Sequence, residues 1–318
     1  MGVNIKTSRP PLKESSTIPM EREVAKLMSD FTGRNIQNRP VVTTDTESII
    51  TIQEEANKFE YHIDTMSLDE IKKILSIPQE EGAINFGKQF GRMLLTLQVL
   101  AFEQYKGNGK LEGEFKMSEI TKLWKVSDGT KTRRAIKDLL SSLYSSSFVK
   151  TQQIGPAEKE FTIARFVTTI SRHEKEGEEV IYRFTLNEPT LGRAADWIKT
   201  GKISKSWQQE GYLGVPKKDI VEKNHDVHYL NFRERLRLLG GSRHSSVVKT
   251  KIKAETLLRD WFKFAPRSLN RRTLCRDVIL RSLELAKQEQ ELLDYTYNLP
   301  ENVHWKKEWY IEIKKANR

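Results

Sequence analysis

The sequence predicts an α+β protein, mainly α-helical, in which two tandem domains repeat one order of elements behind an N-terminal extension. Three observations carry this prediction. Apolar residues recur at helical spacing over about five turns between Phe86 and Tyr105. The period then changes to alternating and β-branched residues between Phe148 and Leu186. A similar order returns after Asn231, and 318 residues suffice for two domains with cores of their own.

The first domain is expected over residues 81–190. Its long first helix ends at Gly107-Asn108-Gly109, a short strand follows at Phe115–Met117, and Ser118 is expected to cap a compact helix. After a turn, Thr130 is expected to cap a longer helix with one buried apolar stripe. A single long β-hairpin then closes the domain. The buried stripe is expected to contain Ile136, Leu139, Leu140, Leu143 and Tyr144.

The second domain is expected over residues 229–318, after a connection over residues 191–228 in which Trp197 is one packing anchor. Its elements are expected to be a helix at Asn231–Leu239, a strand at Val247–Lys251, a helix at Ala254–Phe264, a long helix from Ser268 or Asn270 to about Gln290, and a final strand or wing within His304–Lys314.

Residues 1–80 form the N-terminal extension. The first 20 residues contain three prolines and several Ser and Thr, which is typical of a mobile arm. Met20–Phe31 is expected to form a short amphipathic helix, and Ile49–Ile52 is expected to be a strand. A second helix is expected to begin at the capping box of Ser67 and to end at Pro78.

In each domain a compact helix, a turn and a longer helix precede β structure. That order is a winged helix, in which the longer helix, the recognition helix, can lie in a major groove and the hairpin is the wing. Each domain therefore has the fold of a DNA-binding module.

The charge of the chain is unevenly distributed. Lys and Arg number 54 against 43 Asp and Glu, a net charge of +11, yet residues 1–80 carry 10 basic and 13 acidic side chains. Basic residues concentrate in Thr121–Lys150, with 7 basic and 2 acidic, and in Arg243–Arg281, with 11 basic and 3 acidic. Each concentration contains an expected recognition helix. Two such patches favour a polyanionic partner over two merely solvated helix faces.

The first candidate DNA-binding set lies at the start of the helix expected from Thr130 and on the hairpin behind it. Threonine hydroxyls can donate to phosphate, and Arg can make two parallel hydrogen bonds to guanine. The set comprises Thr130, Lys131, Thr132, Arg133, Arg134 and Lys137 on the helix, and Lys159, Arg165 and Arg172 on the hairpin.

The second set lies in the sequence RSLNRRTLCRDVILR, at the start of the long helix of the second domain. A helix N-terminus favours phosphate through its free N–H groups and its dipole, and Asn can pair with adenine. Arg272 and Arg276 are four residues apart and share one helix face. The set comprises Arg267, Ser268, Asn270, Arg271, Arg272 and Arg276.

Other chemistries are poorly supported. The single cysteine, Cys275, excludes a disulfide framework and a cysteine-rich zinc site within one chain and favours a reducing cytoplasm. No segment approaches the roughly 18 apolar residues of a membrane helix. His225 and His228 lack the spacing of a metal-dependent nicking site, and the pair Glu178-Glu179 is interpreted as a solvated turn. We therefore expect no catalysis, no metal and no cofactor.

Residues 84–318 resemble the winged-helix replication initiators of plasmids and phages. The resemblance rests on LLTLQVLAFEQY, on KTRRAIKDLLSSLY before the hairpin, and on RRTLCRDVILRSLELAKQ. It implies a protein that binds repeated sequences of double-stranded DNA at an origin and recruits replication proteins, with homodimerisation through one domain. The two recognition helices would then enter successive major grooves, where bidentate base contacts contribute about 1–3 kcal/mol each.

Three alternatives stay open. A transcriptional or partition regulator would use the same fold on an operator. An RNA-binding or scaffolding subunit would direct its basic faces to another polyanion. A primase or nuclease is the most distant alternative, because the sequence offers no catalytic constellation.

Overall fold

The computed structural model describes residues 9–14, 16–21, 41–43, 47–54, 57–64, 75, 89–155, 158–203, 212–221, 227–239, 246–262, 269–300 and 308–316. The chain separates into two compact units. The first holds residues 1–24, 36–205 and 214–223, and the second holds residues 25–35, 206–213 and 224–318. The expected α+β class with two tandem winged-helix domains is confirmed. Within the described ranges, no helix has the length and apolar character needed to cross a membrane.

The first unit contains six described helices and nine described strands, together with the last three residues of a tenth strand, β10. The helices are α1 (Gln89–Glu103), α2 (Met117–Leu123), α3 (Thr130–Ser145), α4 (Glu188–Leu191), α5 (Arg193–Thr200) and α6 (Lys218–Val221). The strands are β1 (Thr17–Glu21), β2 (Val41–Thr43), β3 (Glu47–Glu54), β4 (Asn57–Asp64), β5 (Glu112–Lys116), β6 (Ser146–Gly155), β7 (Glu158–Arg165), β8 (Val167–His173), β9 (Ile181–Leu186) and β10 (Tyr212–Pro216).

The winged helix of the first unit consists of α1, β5, α2, α3 and the hairpin β8–β9. The three strands form an antiparallel sheet in the order β5-β9-β8. Helix α3 buries Ile136, Leu139, Leu140 and Leu143, as the apolar spacing predicts, while Tyr144 is half-buried. Each such fully buried aliphatic side chain contributes about 1.5–3 kcal/mol to folding. Recognition helix α3 is therefore fixed by its own apolar stripe.

The expected single hairpin is in fact two hairpins, so that prediction was wrong. Strands β6 and β7 pair with each other and continue onto β4, which gives a five-stranded sheet in the order β2-β3-β4-β6-β7. The strand expected at Ile49–Ile52 is confirmed within β3 of this sheet. The wing proper is β8–β9, because among the described hairpins only this one pairs with β5. Alternation reveals strands but not which strands they pair with.

The first residues of the chain do not form a mobile arm over the described part, which corrects that expectation. Strand β1 pairs with β10, and its Ile18 and Met20 are buried. The Arg9 guanidinium lies over the Phe102 ring, 4.6 Å from its centroid, and donates to the Ile198 and Lys199 carbonyl oxygens near the end of α5. The helices expected at Met20–Phe31 and from Ser67 lie largely outside the described residues.

Helix α2 begins at Met117, one residue before the expected cap, so the assignment of Ser118 as the cap was wrong. Lys116 occupies the N-cap position, and its backbone N–H donates to the Glu119 carboxylate at 2.7 Å. Ser118 instead donates its hydroxyl to Glu179 of the wing, at 2.5 Å. The residue whose side chain was expected to start the helix thus joins the helix to the wing.

The second unit repeats the order of the first without an inserted hairpin. Its described elements are α7 (Val227–Leu238), β11 (Val247–Lys253), α8 (Ala254–Thr256) with a π-helical turn at Leu257–Trp261, α9 (Arg272–Gln288), β12 (Asp294–Asn298) and β13 (Tyr310–Ala316). The sheet order is β11-β13-β12, in which the first, third and second strands lie side by side as in β5-β9-β8. Strand β12 was not anticipated from the sequence.

The helices and strands of the second unit pack around one apolar core. Phe232 and Leu236 of α7, Val278 and Ile279 of α9, and the inner face of β13 belong to it. The aromatic rings of Phe232 and Phe262 pack with centroids 5.2 Å apart. Recognition helix α9 is thus supported by both the helical layer and the sheet.

Candidate nucleic-acid interface

Helix α3 and the β8–β9 wing enclose a basic cleft of about 360 Å³. Four of its side chains are cationic and one is a carboxylate, because the first two turns of α3 direct their polar side toward the wing. The lining residues are Met117, Thr130, Arg133, Arg134, Lys137, Arg172, Glu179, Val180 and Tyr182. Five of them, Thr130, Arg133, Arg134, Lys137 and Arg172, were predicted from the sequence as DNA-binding residues, and the structure brings these five together.

Arg133 is the centre of an ion-pair network in this cleft. Its Nε and Nη2 donate to the two carboxylate oxygens of Asp128 at 2.6 and 2.7 Å, and Nη2 lies 3.1 Å from Glu179 Oε1. The hydrogen bond from Arg133 holds the pKa of Asp128 below its usual range, and the pKa of Arg133 is raised in return. Because Glu179 also binds Ser118, the network connects the turn, two helices and the wing. This geometry fits a positioning role for Arg133 rather than a base contact.

The other cations of the cleft are arranged around Lys137. Arg134 pairs with Asp138 one turn along α3, at 3.0 Å, and Arg172 pairs with Glu174 of the wing. Lys137 is half-buried, and burial together with the nearby arginines lowers the pKa of its ammonium group. The charge of Lys137 is therefore disfavoured in this cleft, and a bound anion would offset that cost.

The remaining residues of the first set lie in different places. Thr130 and Lys131 are exposed on the first turn of α3, and Thr132 is half-buried. Lys159 and Arg165 belong to β7 of the five-stranded sheet rather than to the wing. The description covers the backbone of Lys159 and not its side chain, while Arg165 accepts a hydrogen bond on its carbonyl oxygen from Thr190.

The second site is the N-terminus of α9. Asn270, Arg271 and Arg272 are exposed, and Arg271 occupies the N-cap position without a side-chain cap. The expected cap from Asn270 is therefore absent, and Ser268 lies outside the described residues, as does Arg267. In the described part of the chain, neither Arg271 nor Arg272 has a carboxylate within ion-pair distance. The helix start thus presents open backbone donors and two arginines to solvent.

The apolar stripe of α9 determines which side chains face outward. Cys275, Val278 and Ile279 enter the core, which leaves the preceding turn exposed. Burial raises the pKa of the Cys275 thiol to about 11, consistent with an inert structural cysteine. Arg276 is half-buried, while Leu274 is 41% exposed. An exposed leucine beside two arginines can make apolar contact with a thymine methyl group.

Two carboxylates were missed as site residues. Glu179 had been interpreted as part of a solvated turn, and Asp128 falls within the turn that the sequence predicts before Thr130. Both bind Arg133. The signal available in the sequence was the acidic residue five positions before an arginine at a helix start, which by itself does not show a contact. His225 lies outside the described residues, and the side chain of His228 is not described.

Comparison with solved structures finds a likeness to two crystal structures of domains 2 and 3 of RctB. One, of selenomethionine derivatives, is 12% identical with a TM-score of 0.48, and the match covers 92% of this chain and 99% of that one. The other, RctB-155-483, is 13% identical with a TM-score of 0.48, covering 87% and 94%.

No protein-family model matches the sequence, and no curated protein matches it. Sequence identities of 12–13% and TM-scores of 0.48 describe only a common order of elements.

Proposed function

We propose that this chain binds double-stranded DNA sequence-specifically through both winged-helix units and acts as a replication initiator on repeated origin sites. The observation that carries the proposal is the start of α9, where two exposed arginines flank open backbone N–H groups. Among the described residues no carboxylate neutralises these two arginines. Arginines in this position on a recognition helix can reach both phosphates and base edges.

The cleft of the first unit supports the same function in a different way. Lys137, Arg134 and Arg172 converge between the recognition helix and the wing, where a duplex backbone would pass in a winged-helix complex. We assign phosphate binding to this cleft, with Arg133 and Glu179 holding the wing in position. Specificity would then come mainly from Arg271, Arg272 and Asn270, and the first unit would supply affinity and register.

The proposed role needs no catalytic residue of the chain's own. The initiator would act by occupying its sites and by bringing replication proteins to them, with a homodimer as one possible assembly. The same geometry serves a transcriptional or partition regulator, because the fold determines how DNA is read and not which site is read. An RNA-binding or scaffolding role would use the same cationic surfaces for another partner.

The experiment is a selection of bound duplexes from a random pool, followed by fluorescence anisotropy of the enriched sequence at several salt concentrations. We expect a specific site, and direct repeats of that site in the natural binding region. Palindromic sites outside an origin would favour the regulator. Equal or tighter binding to structured RNA at physiological salt, with no enriched duplex, would contradict the proposal.

A further inference from the structure

The outer face of the sheet of the second unit carries a row of lysines. Lys249, Lys251 and Lys253 alternate along β11, and all three are exposed. Lys314 of β13 is exposed on the same face, because it pairs directly with Lys249 in the antiparallel register. Residues two apart on a strand are separated by about 6.7 Å, which is about twice the 3.4 Å axial spacing of charges along one DNA strand.

Few carboxylates compensate this lysine row. Glu312 lies 3.4 Å from Lys251, whose ammonium group also sits 3.7 Å from the centroid of the Tyr310 ring. Asp294 stands opposite Lys314 in the β12–β13 register and lies 3.0 Å from Lys287 of α9. The hydrogen bond from Lys287, with a smaller contribution from the Lys314 charge, holds the pKa of Asp294 below its usual range. Within the described ranges, Lys249, Lys253 and Lys314 form no ion pair. The face therefore retains a net positive charge. A cleft of about 430 Å³ lies on this face, and Lys249, Lys251 and Lys314 line it.

The lysine row faces away from recognition helix α9. The opposite face of the sheet presents Ile252, Ile311 and Ile313 to the core, and α9 contributes Val278 and Ile279 to that same core. A duplex bound at the start of α9 lies on the helical side of the sheet. The four lysines are therefore available to a different anionic segment.

We propose that this face binds the backbone phosphates of a second DNA duplex while α9 holds the first. The inference rests on the proposed function, since it assumes a duplex at α9. Charge complementarity and regular spacing carry the choice of occupant. A single strand is disfavoured because its binding needs open aromatic platforms for the bases, and Tyr310 is half-buried beneath Lys251.

The test uses the full chain with two duplexes of the selected sequence, one labelled with a donor and the other with an acceptor fluorophore. We expect the wild-type chain to bring them together and produce energy transfer. The variant K249Q/K251Q/K253Q should reduce the bridged fraction by about fivefold or more at physiological salt, because three phosphate contacts are lost. A second variant, K249E/K253E, leaves the paired Lys251 in place and should have at least the same effect.

The matched control is K106Q/K110Q/K202Q, which removes the same charge from exposed lysines of the first unit. It should leave bridging within about twofold of wild type, since scattered charges contribute little once screened by salt. Affinity for a single duplex, measured separately by anisotropy, should change little in the lysine-row variants.

Unchanged bridging in both of these variants, with single-duplex binding intact, would overturn this inference alone. Absence of single-duplex binding by the wild type would overturn the proposed function. Preferential loss of single-strand binding would also overturn the choice of a duplex.

Discussion

Two neighbouring lysines near the end of the chain occupy opposite environments. Lys314 is exposed on the outer face of β13, whereas Lys315 is only 6% exposed and points inward. The Lys315 ammonium donates to the carbonyl oxygens of Leu236 at 2.6 Å and Leu239 at 2.9 Å, where α7 ends. A cation at a helix C-terminus satisfies the unpaired carbonyls and complements the helix dipole.

Replacing Lys315 by Met should lower the free energy of unfolding of the second unit by about 1–3 kcal/mol, because two buried carbonyl oxygens lose their donor. Lys314→Met is the matched control, one residue away on the exposed face, and should change stability by less than about 0.5 kcal/mol. Urea denaturation followed by circular dichroism measures both. Equal effects of the two substitutions would show that Lys315 does not stabilise the end of α7.

Lys137 illustrates a residue that is suited to binding at a cost to folding. Its pKa is lowered by burial and then by Arg172, Arg134 and Arg133, so the folded chain releases this proton at lower pH than the unfolded chain does. The unfavourable charge is therefore fully present at neutral pH. It fades as the pH rises through the lowered pKa toward the ordinary value of 10.5.

Lys137→Met should raise the melting temperature at neutral pH and low salt. The gain in the free energy of unfolding should be less than about 1 kcal/mol, because the cluster is partly exposed. The same substitution should weaken duplex binding. Added inorganic phosphate should stabilise the wild type more than the variant, and the difference in stability should shrink as the pH rises through the lowered pKa of Lys137 toward 10.5. Lys110→Met, at an exposed loop, should alter neither property. A variant that melts earlier than wild type and binds DNA normally would contradict a phosphate role for this cleft.

At the scale of elements, each recognition helix adjoins a turn in which a non-glycine residue has a left-handed backbone conformation. One turn precedes α3 and the other follows α9. Lys125, after α2, has φ 52°, and Gln290, after α9, has φ 61°. The Glu291 N–H then donates to the Ala286 carbonyl oxygen at 2.8 Å, which closes the end of α9. This is the position where glycine is usually found, since a Cβ is strained there.

Lys125→Gly and Gln290→Gly should each raise the free energy of unfolding by roughly 0.5–1 kcal/mol, through relief of this strain. Thermal unfolding by calorimetry measures the gain. Alanine at the same two positions serves as the comparison and should give no gain, because it retains the Cβ. A loss of stability with glycine would mean that the Lys125 and Gln290 side chains make contacts worth more than the strain.

Helix periodicity was the most reliable guide in this sequence. The stripe of α3 was predicted by one local rule, the 3.6-residue repeat. The same rule predicted Leu274, Val278, Ile279, Leu283 and Ala286 as the buried stripe of α9; the last four are buried, but Leu274 is 41% exposed, so that part of the prediction was wrong. The wing was not separated from β6–β7, since strand pairing depends on residues distant in the chain, such as β4 and β5. Short β12 (DYTYN) was missed because four of its five residues are exposed, so it shows no alternation of burial.

The site was predicted in composition but not in its internal contacts. The sequence identified the arginines at both helix starts, since clustering is visible along the chain. It did not show that Asp128 and Glu179 engage Arg133, whereas Arg271 and Arg272 meet no described carboxylate. That difference comes from the wing turn of the first unit, which brings Glu179 back to α3 from 46 positions further along the sequence.

At the scale of the whole molecule, both units use the same strand order behind the same order of helices. The first unit adds a hairpin and N-terminal strands that build a second sheet, while the described residues of the second unit form a winged helix without such a sheet. The two recognition helices differ in how their cationic side chains are paired and exposed. Helix α3 holds its cations in a paired, partly buried cleft, and α9 presents them openly.

The measurement that tests the central claim most directly is the salt dependence of duplex affinity for R271A/R272A, compared with R281A further along the exposed side of α9. We predict that the double variant loses at least about thirtyfold in affinity and that its salt slope falls by roughly one for each phosphate contact removed. R281A should stay within about twofold of wild type. If the double variant kept both the affinity and the salt slope of the wild type, α9 would not be a DNA-reading helix.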